Sequence, residues 1–206
     1  SADAKRAYVT NIGSGTTTAL DLGAGRKLGD LDTGAGSEAL AVTPDGRELW
    51  VAARGDGHLA VVDTASLEVT ARLPLAGIPI RIALTPDGRT AFVTCAGSSE
   101  LVALDVASRR ETGRRRVDVP LAPGAEQRPF AQMAGGSVLP VGLLVSTDGR
   151  TAYVAATMGD RVVHYDVETL EPLQVIAVGG EPDGLAVTPV MPRKPCPACA
   201  PDPGKH

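Results

Sequence analysis

The stretch Thr43-Pro44-Asp45-Gly46-Arg47 decides how this sequence folds, because it recurs at a regular distance. It returns 42 residues later as Thr85-Pro86-Asp87-Gly88-Arg89. A third copy, Ser146-Thr147-Asp148-Gly149-Arg150, follows after 61 residues, and a fourth begins at Thr188-Pro189 after another 42. A repeat of about 40 to 45 residues is the period of a propeller or an array, so the sequence is to be interpreted as a series of similar units.

Two further columns of residues share the spacing of that turn. One column is aromatic and the other is aspartate: Tyr8, Trp50, Phe92 and Tyr153, and Asp21, Asp63, Asp105 and Asp166. Successive members of each column are 42, 42 and 61 residues apart. The last two gaps equal those between the first three copies of the turn. Three columns in one register indicate a true structural repeat.

The second unit predicts four strands. We expect an inner strand at Leu40–Thr43, a second at Glu48–Ala53, a third at His58–Val62 and an outer strand at Leu67–Leu73. The Asp45-Gly46 pair suits the first turn, since glycine accepts a positive φ and aspartate bonds its own backbone. Four strands in about 42 residues are typical of a β-propeller blade, so the prediction is an all-β propeller of four-stranded antiparallel blades.

Counting strands predicts four blade equivalents, with one blade split between the chain ends. The predicted blades span residues 6–33 with 183–189, 38–75, 80–118 and 139–178, and an insert occupies 119–137. The first blade lacks its inner strand, and Leu185–Thr188 would complete it and hide its edge. Two alternatives remain open: a homodimer that exchanges inner strands in an eight-bladed ring, and a part of a larger propeller.

Composition excludes some partners. A net charge of -4 and an aromatic content of 3% disfavour a nucleic-acid binder, and no apolar run is long enough for a transmembrane segment. The cluster Arg109–Arg116 could dock an acidic partner or could be a solvated, charged sheet edge.

The loops that join outer to inner strands and second to third strands should share one face, where propellers commonly carry function. The insert could act there as a lid or docking arm, or could plug the ring. Arg81, where other inner strands hold small residues, could bind an anion or pair with Glu38 or Asp183. The predicted ligand or partner face consists of Glu38, Arg54, His58, Arg81, Arg128, Phe130, Met133, Asp160, Glu181 and Asp183.

The segment Met191–His206 is a proline-rich tail that should not continue a sheet, since proline lacks the ladder donor. It carries Cys196-Pro197-Ala198-Cys199, a Cys-x-x-Cys pair that supplies only half a zinc site and lacks the histidine of a haem-attachment motif. Cys196, Cys199 and His206 are therefore weak metal candidates. The sequence shows no catalytic or phosphate-binding motif, and it predicts no cofactor.

The motif Ala7-Tyr8-Val9-Thr10-Asn11 and the repeated Thr-Pro-Asp-Gly-Arg turn resemble the YVTN-type β-propeller repeat proteins over about residues 6 to 189. The stretch Pro182-Asp183-Gly184-Leu185-Ala186-Val187 is similar to that family too. The resemblance implies a location outside the cytoplasm, in the periplasm or at the cell surface. Some similar propellers accompany c-type cytochromes or quinone-dependent dehydrogenases, which points to a redox assembly.

These observations lead to three hypotheses of function. The first is a non-enzymatic binding or scaffold module, an accessory subunit that holds protein partners through the insert, the loop face and the tail. The second is a propeller enzyme, a lactonase-like hydrolase or a dehydrogenase component, with Glu38, Arg81, Glu181 and Asp183 at the channel mouth. The third is a surface-layer or cell-envelope repeat protein.

Overall fold

The computed structural model describes residues 1 and 3–187. The predicted roles of Thr188, of the proline-rich tail and of Cys196, Cys199 and His206 therefore lie outside the described residues.

The regular structure of the described chain is almost wholly antiparallel strand, and the strands form four sheets in chain order. The first sheet holds β1 (Arg6–Asn11), β2 (Thr16–Asp21) and β3 (Arg26–Asp32), and the second holds β4 (Ser37–Val42), β5 (Glu48–Ala53), β6 (His58–Asp63) and β7 (Glu68–Pro74). The third holds β8 (Pro79–Leu84), β9 (Thr90–Cys95), β10 (Glu100–Asp105) and β11 (Arg110–Arg116), and the fourth holds β12 (Pro140–Val145), β13 (Thr151–Ala156), β14 (Arg161–Asp166) and β15 (Pro172–Ala177). The predicted fold class is confirmed: the chain folds as four propeller blades.

In the second, third and fourth blades the repeated turn joins the inner strand to the second strand through a small set of hydrogen bonds. Thr43 Oγ1 donates to Asp45 Oδ1 over 2.6 Å, and the same carboxylate oxygen accepts from the Arg47 amide. The third blade repeats the first bond between Thr85 and Asp87 at 2.6 Å. Because these bonds hold the carboxylate in its charged form, they lower the pKa of Asp45 and of Asp87.

Neighbouring blades pack through one recurrent contact. The aromatic residue on the second strand of each blade shares a buried cluster with a valine on the second strand of the next blade. These pairs are Tyr8 with Val51, Trp50 with Val93, and Phe92 with Val154. Burying both faces of a sheet accounts for the long Val, Ala and Leu runs of the strands.

The two ends of the series lack such a neighbour. Val9 is 46% exposed, although its equivalents Val51, Val93 and Val154 are 0% exposed. At the other end Tyr153 is partly exposed, whereas Trp50 is fully buried. The described residues therefore form an arc whose first and last faces are uncovered.

The fourth strand expected for the first sheet is not part of it among the described residues. The first sheet has three strands, and residues 178–187 belong to no strand. Instead, the segment after β15 lies beside the fourth sheet, where Thr157 Oγ1 donates to the Pro182 carbonyl over 2.8 Å. Leu185 follows the end of β15 by eight residues, as Leu40 follows the end of β3, so that this connection carries the chain to the position beside the fourth sheet and not to the edge of β1.

No helix within the described part of the chain has both the length and the apolar character needed to cross a membrane.

Candidate partner-binding site

The inner strands place two opposite charges side by side on the inner edge of the arc. Arg81, on β8, has Nη1 3.1 Å from Glu38 Oε1 on β4. Arg54, just after β5, brings Nε to 2.7 Å from Glu38 Oε2. Arg81 also reaches Asp183, with Nη2 3.4 Å from Oδ1. Of the two interpretations of Arg81, an anion site or a pairing with Glu38 or Asp183, the structure shows the pairing, and Arg81 contacts both acidic residues.

The insert forms the apolar wall opposite those charges. Residues 119–137 contain a 3₁₀ turn, Ala125–Gln127, and the short helix α1, Ala131–Ala134. Ala125 and Ala134 are buried in one cluster with Ile80, so that the insert is fixed to the third blade. Phe130 directly precedes α1, and Met133 is the third residue of α1. Phe130 is 45% exposed and Met133 is 44% exposed.

Together these elements enclose a cleft of about 400 Å³, which we call the inner cleft. Its polar residues come from the loops and the inner strands, and its apolar residues come from the insert and from β8 and β12. The lining consists of Glu38, Arg54, Ile80, Arg81, Phe130, Met133, Leu139, Val141, Thr157, Glu181 and Asp183.

A charged clamp holds the insert against the fourth blade. Arg128, in the insert, makes a bidentate pair with Asp160: Nη1 lies 2.6 Å from Oδ1, and Nη2 lies 2.6 Å from Oδ2. Asp160 also accepts a hydrogen bond of 3.0 Å from the Glu181 amide. The Arg128 guanidinium is the main cause that lowers the pKa of Asp160 to about 2. The clamp therefore stays charged at any neutral pH.

Glu181 carries a feature of the inner cleft that calls for a hydrogen-bond donor. Its Oε1 atom is buried, and it has no hydrogen-bond partner among the described residues. A buried carboxylate oxygen without a donor is unfavourable, because it has lost water and gained nothing in return. A ligand that brings an N–H donor to this atom would remove that cost.

The structure brings together seven of the ten predicted face residues. Glu38, Arg54, Arg81, Phe130, Met133, Glu181 and Asp183 line the inner cleft, and Arg128 and Asp160 form the clamp beside it. His58 is apart from the inner cleft: it is buried, with Nε2 3.2 Å from the Thr33 carbonyl oxygen. Sequence reasoning missed four lining residues: Ile80, Leu139, Val141 and Thr157. The apolar three lie at or just before the start of the inner strands β8 and β12, which was their only signal.

Other features of the described residues contribute less to a site. The described residues hold no cluster of three or more His, Cys, Asp or Glu side chains fit for a metal ion. Burial raises the pKa of the Cys95 thiol to about 12, which keeps it protonated and unreactive.

In the arginine cluster, Arg114 is paired with Glu100 at 2.6 Å and with Glu111 at 2.8 Å. Arg109 is paired with Glu48, so that part of this cluster is neutralised within the chain.

Comparison with solved structures supports the propeller fold. The chain is similar to a chain in the structure of Kuenenia stuttgartiensis hydrazine synthase, with a TM-score of 0.73, 20% identity, and coverage of 85% of this chain and 46% of that one. A functionally unknown protein from Desulfotomaculum acetoxidans matches with a TM-score of 0.73, 12% identity, and coverage of 91% and 57%. A provisionally assigned 6-phosphogluconolactonase from Bacteroides uniformis matches with a TM-score of 0.73, 13% identity, and coverage of 90% and 58%.

The chain spans about half the length of these solved chains. No family model matches the sequence, and no curated protein shows significant similarity to it.

Proposed function

We propose that this chain is a non-enzymatic binding module of the YVTN-repeat type, which acts outside the cytoplasm as an accessory subunit of a larger redox assembly. The family and the location rest on the resemblance of Ala7–Asn11 and of the repeated turns. The observation that carries the binding role is the inner cleft, where an exposed apolar pair faces a set of charges. The same fold occurs in the structure of hydrazine synthase, an enzyme. This supports the proposal that the chain is a subunit of a larger redox assembly.

The inner cleft suits a protein segment with one apolar and one basic side chain. Phe130 and Met133 offer adjacent apolar surface, and a thioether is adaptable enough to fit irregular partners. Glu181 Oε1 offers an unused acceptor a short way into the cleft. An apolar anchor beside a donor that satisfies a buried acceptor is the usual make-up of an energetically dominant contact.

Arg81 serves the cleft by holding its charged floor in place. Its guanidinium bridges Glu38 and Asp183, which belong to the second blade and to the segment after β15. The bridge also leaves the arginine charge satisfied within the chain. The proposed partner therefore meets Glu181 rather than Arg81 as its main polar contact.

The test is photo-crosslinking on intact cells, with a photoreactive amino acid in place of Gln132, which is exposed next to Met133. We expect one protein partner to be crosslinked, and we expect F130A/M133S or Glu181→Leu, which removes the acceptor, to abolish the product. Leu121→Ser is the matched control, since Leu121 is an exposed apolar residue of the same insert that does not line the inner cleft. Crosslinking that survives F130A/M133S would contradict the proposed site.

A second assay tests the non-enzymatic part of the proposal. The purified chain should hydrolyse sugar lactones no faster than the buffer does. Hydrolysis that falls on Glu181→Gln and Asp183→Asn would instead favour the enzyme hypothesis.

A further inference from the structure

We propose that two copies of this chain close into one eight-bladed ring, in which the segment that begins at Leu185 of each copy supplies the missing inner strand of the other copy's first sheet. This inference concerns the assembly of the fold, and it does not depend on the proposed function.

The first observation is the free edge of β1. The Lys5 carbonyl accepts from the Leu22 amide, so that Lys5 faces β2, while both backbone groups of Arg6 bond to Ser1 on the other side. Since backbone groups alternate along a strand, the N–H and C=O groups of Tyr8 and Thr10 point to the side away from β2. No other strand of the described residues pairs with that edge.

The second observation is a segment that has the sequence of an inner strand but is not part of a sheet in the described residues. Leu185-Ala186-Val187-Thr188-Pro189 is identical to Leu40-Ala41-Val42-Thr43-Pro44, which forms the inner strand of the second blade and its turn. Its described part, Leu185–Val187, lies in no strand, and Val187 is exposed. Among the described residues, Leu185–Val187 thus has the sequence of an inner strand and no strand partner.

The third observation is where the chain delivers this segment. Leu40 follows the end of β3 by eight residues, and Leu185 follows the end of β15 by the same distance. The connection therefore leads to the position beside the fourth sheet, as every regular connection in the arc does. The blade expected at that position needs three more strands, and a first sheet made of β1, β2 and β3 supplies that number.

The residues after Pro189 are poorly suited to provide those strands. By the 42-residue offset from β13, the second strand of a fifth blade would span residues 193–198. That stretch contains Pro195 and Pro197, and proline has no N–H for a ladder. A second copy of the chain offers a first sheet that lacks only its inner strand.

The end faces of the arc match each other in the same way. Within the arc an aromatic residue packs on the valine of the next blade, and the two unmatched members are Tyr153 at one end and Val9 at the other. The ring would place Tyr153 of each copy on Val9 of the other, in two equivalent head-to-tail contacts that close the assembly.

The oligomeric state of the 206-residue chain tests this proposal. We expect light scattering to give a mass twice that of the 21.1 kDa chain, and Val9→Asp to reduce it to the mass of one copy without loss of β-sheet circular dichroism. Val9 is exposed in a single copy, so that the variant does not disturb its fold. Leu121→Asp is the control, because Leu121 is equally exposed at 46% but lies in the insert, and it should leave the dimer intact. A single copy for the unaltered chain, or an open polymer, would overturn the proposal.

A disulfide trap tests the strand exchange itself. Val42 lies opposite Leu49 in the second blade, and the same register places Val187 opposite Ala7. In a variant with Cys196 and Cys199 changed to serine, Ala7→Cys with Val187→Cys should form a covalent dimer on mild oxidation. A disulfide within one chain would show closure of a four-bladed ring instead, and the absence of any disulfide would show that the strand pairs elsewhere; either result overturns the proposal.

Discussion

The indole of Trp50 donates a hydrogen bond from Nε1 to Glu48 Oε2 over 2.9 Å, two residues earlier on the same strand. The other oxygen of that carboxylate accepts from Arg109 Nη2 at 2.6 Å. Arg109 belongs to the third blade, at the end of the β10–β11 turn, so the fully buried indole is linked through one carboxylate to the neighbouring blade. The contact between the second and third blades therefore has an apolar part and a polar part.

Trp50→Ala should cost about 3 to 5 kcal/mol of unfolding free energy, because it removes the largest buried side chain and leaves a cavity. Trp50→Phe should cost less, about 1 to 2 kcal/mol, since it keeps most of the apolar contact and loses mainly the hydrogen bond to Glu48. Urea unfolding followed by circular dichroism measures both. Equal costs for the two variants would mean that the cavity is not the main term.

The turn glycines should differ in their response to substitution. Gly46, Gly88 and Gly149 all have a φ near +70°, so that alanine at any of them is strained by about 1 kcal/mol. A Cβ on Gly46 would meet no atom within 4 Å, whereas one on Gly88 would lie 3.2 Å from Pro44 Cδ. We therefore expect Gly88→Ala to lower the melting temperature more than Gly46→Ala does. The reverse order would show that the turns of adjacent blades do not restrain each other.

The clamp between Arg128 and Asp160 should open only in acid. Its carboxylate has a pKa of about 2 in the folded chain, below the ordinary value of 3.8, so that its contribution is present above about pH 4 and is lost as the pH falls towards 2. Hydrogen exchange of residues 119–137, corrected for the intrinsic rate, should rise over that interval. In Asp160→Asn the exchange should already be high at neutral pH. An unchanged exchange rate in that variant would show that apolar contacts alone hold the insert.

The Cys95 thiol should react only slowly with thiol reagents while the chain is folded. Burial raises the pKa of its thiol to about 12, so that almost no thiolate exists at pH 8. In a variant with Cys196 and Cys199 changed to serine, an aromatic disulfide reagent should react slowly in buffer and at once in urea. Rapid reaction in buffer would indicate that the third blade opens readily.

The blades could be predicted from the sequence because their signals are local. The repeated turn, the aromatic column and the terminal aspartates all lie within one 42-residue unit, and the predicted strand at Glu48–Ala53 matches β5 at both ends. The inner strand begins earlier than predicted, at Ser37, since the apolar pattern does not reveal the pairing of Ser37 with Ala53 beyond a bulge at Glu38. The local periodicity of the sequence therefore predicts that a strand is present more accurately than it predicts the residue at which the strand begins.

The closure of the arc could not be predicted in the same way. Each unit specifies its own four strands, but the rotation from one blade to the next depends on how Trp50 packs on Val93 and Phe92 packs on Val154. The spacing of apolar residues along the sequence does not determine such packing angles. The clamp of Arg128 and Asp160 escaped prediction for a related reason, because the two residues are 32 positions apart and are joined by the shape of the insert.

Every strand pairing in the described chain joins two strands that follow each other directly in the sequence. Such a fold needs only short loops to close at each step, and short loops carry a small entropic cost. Each of the three four-stranded sheets can thus be completed soon after its last residue leaves the ribosome. Biogenesis of this protein should proceed from the amino terminus onward, one unit at a time, and a pause in translation between units should leave a folded, protease-resistant intermediate.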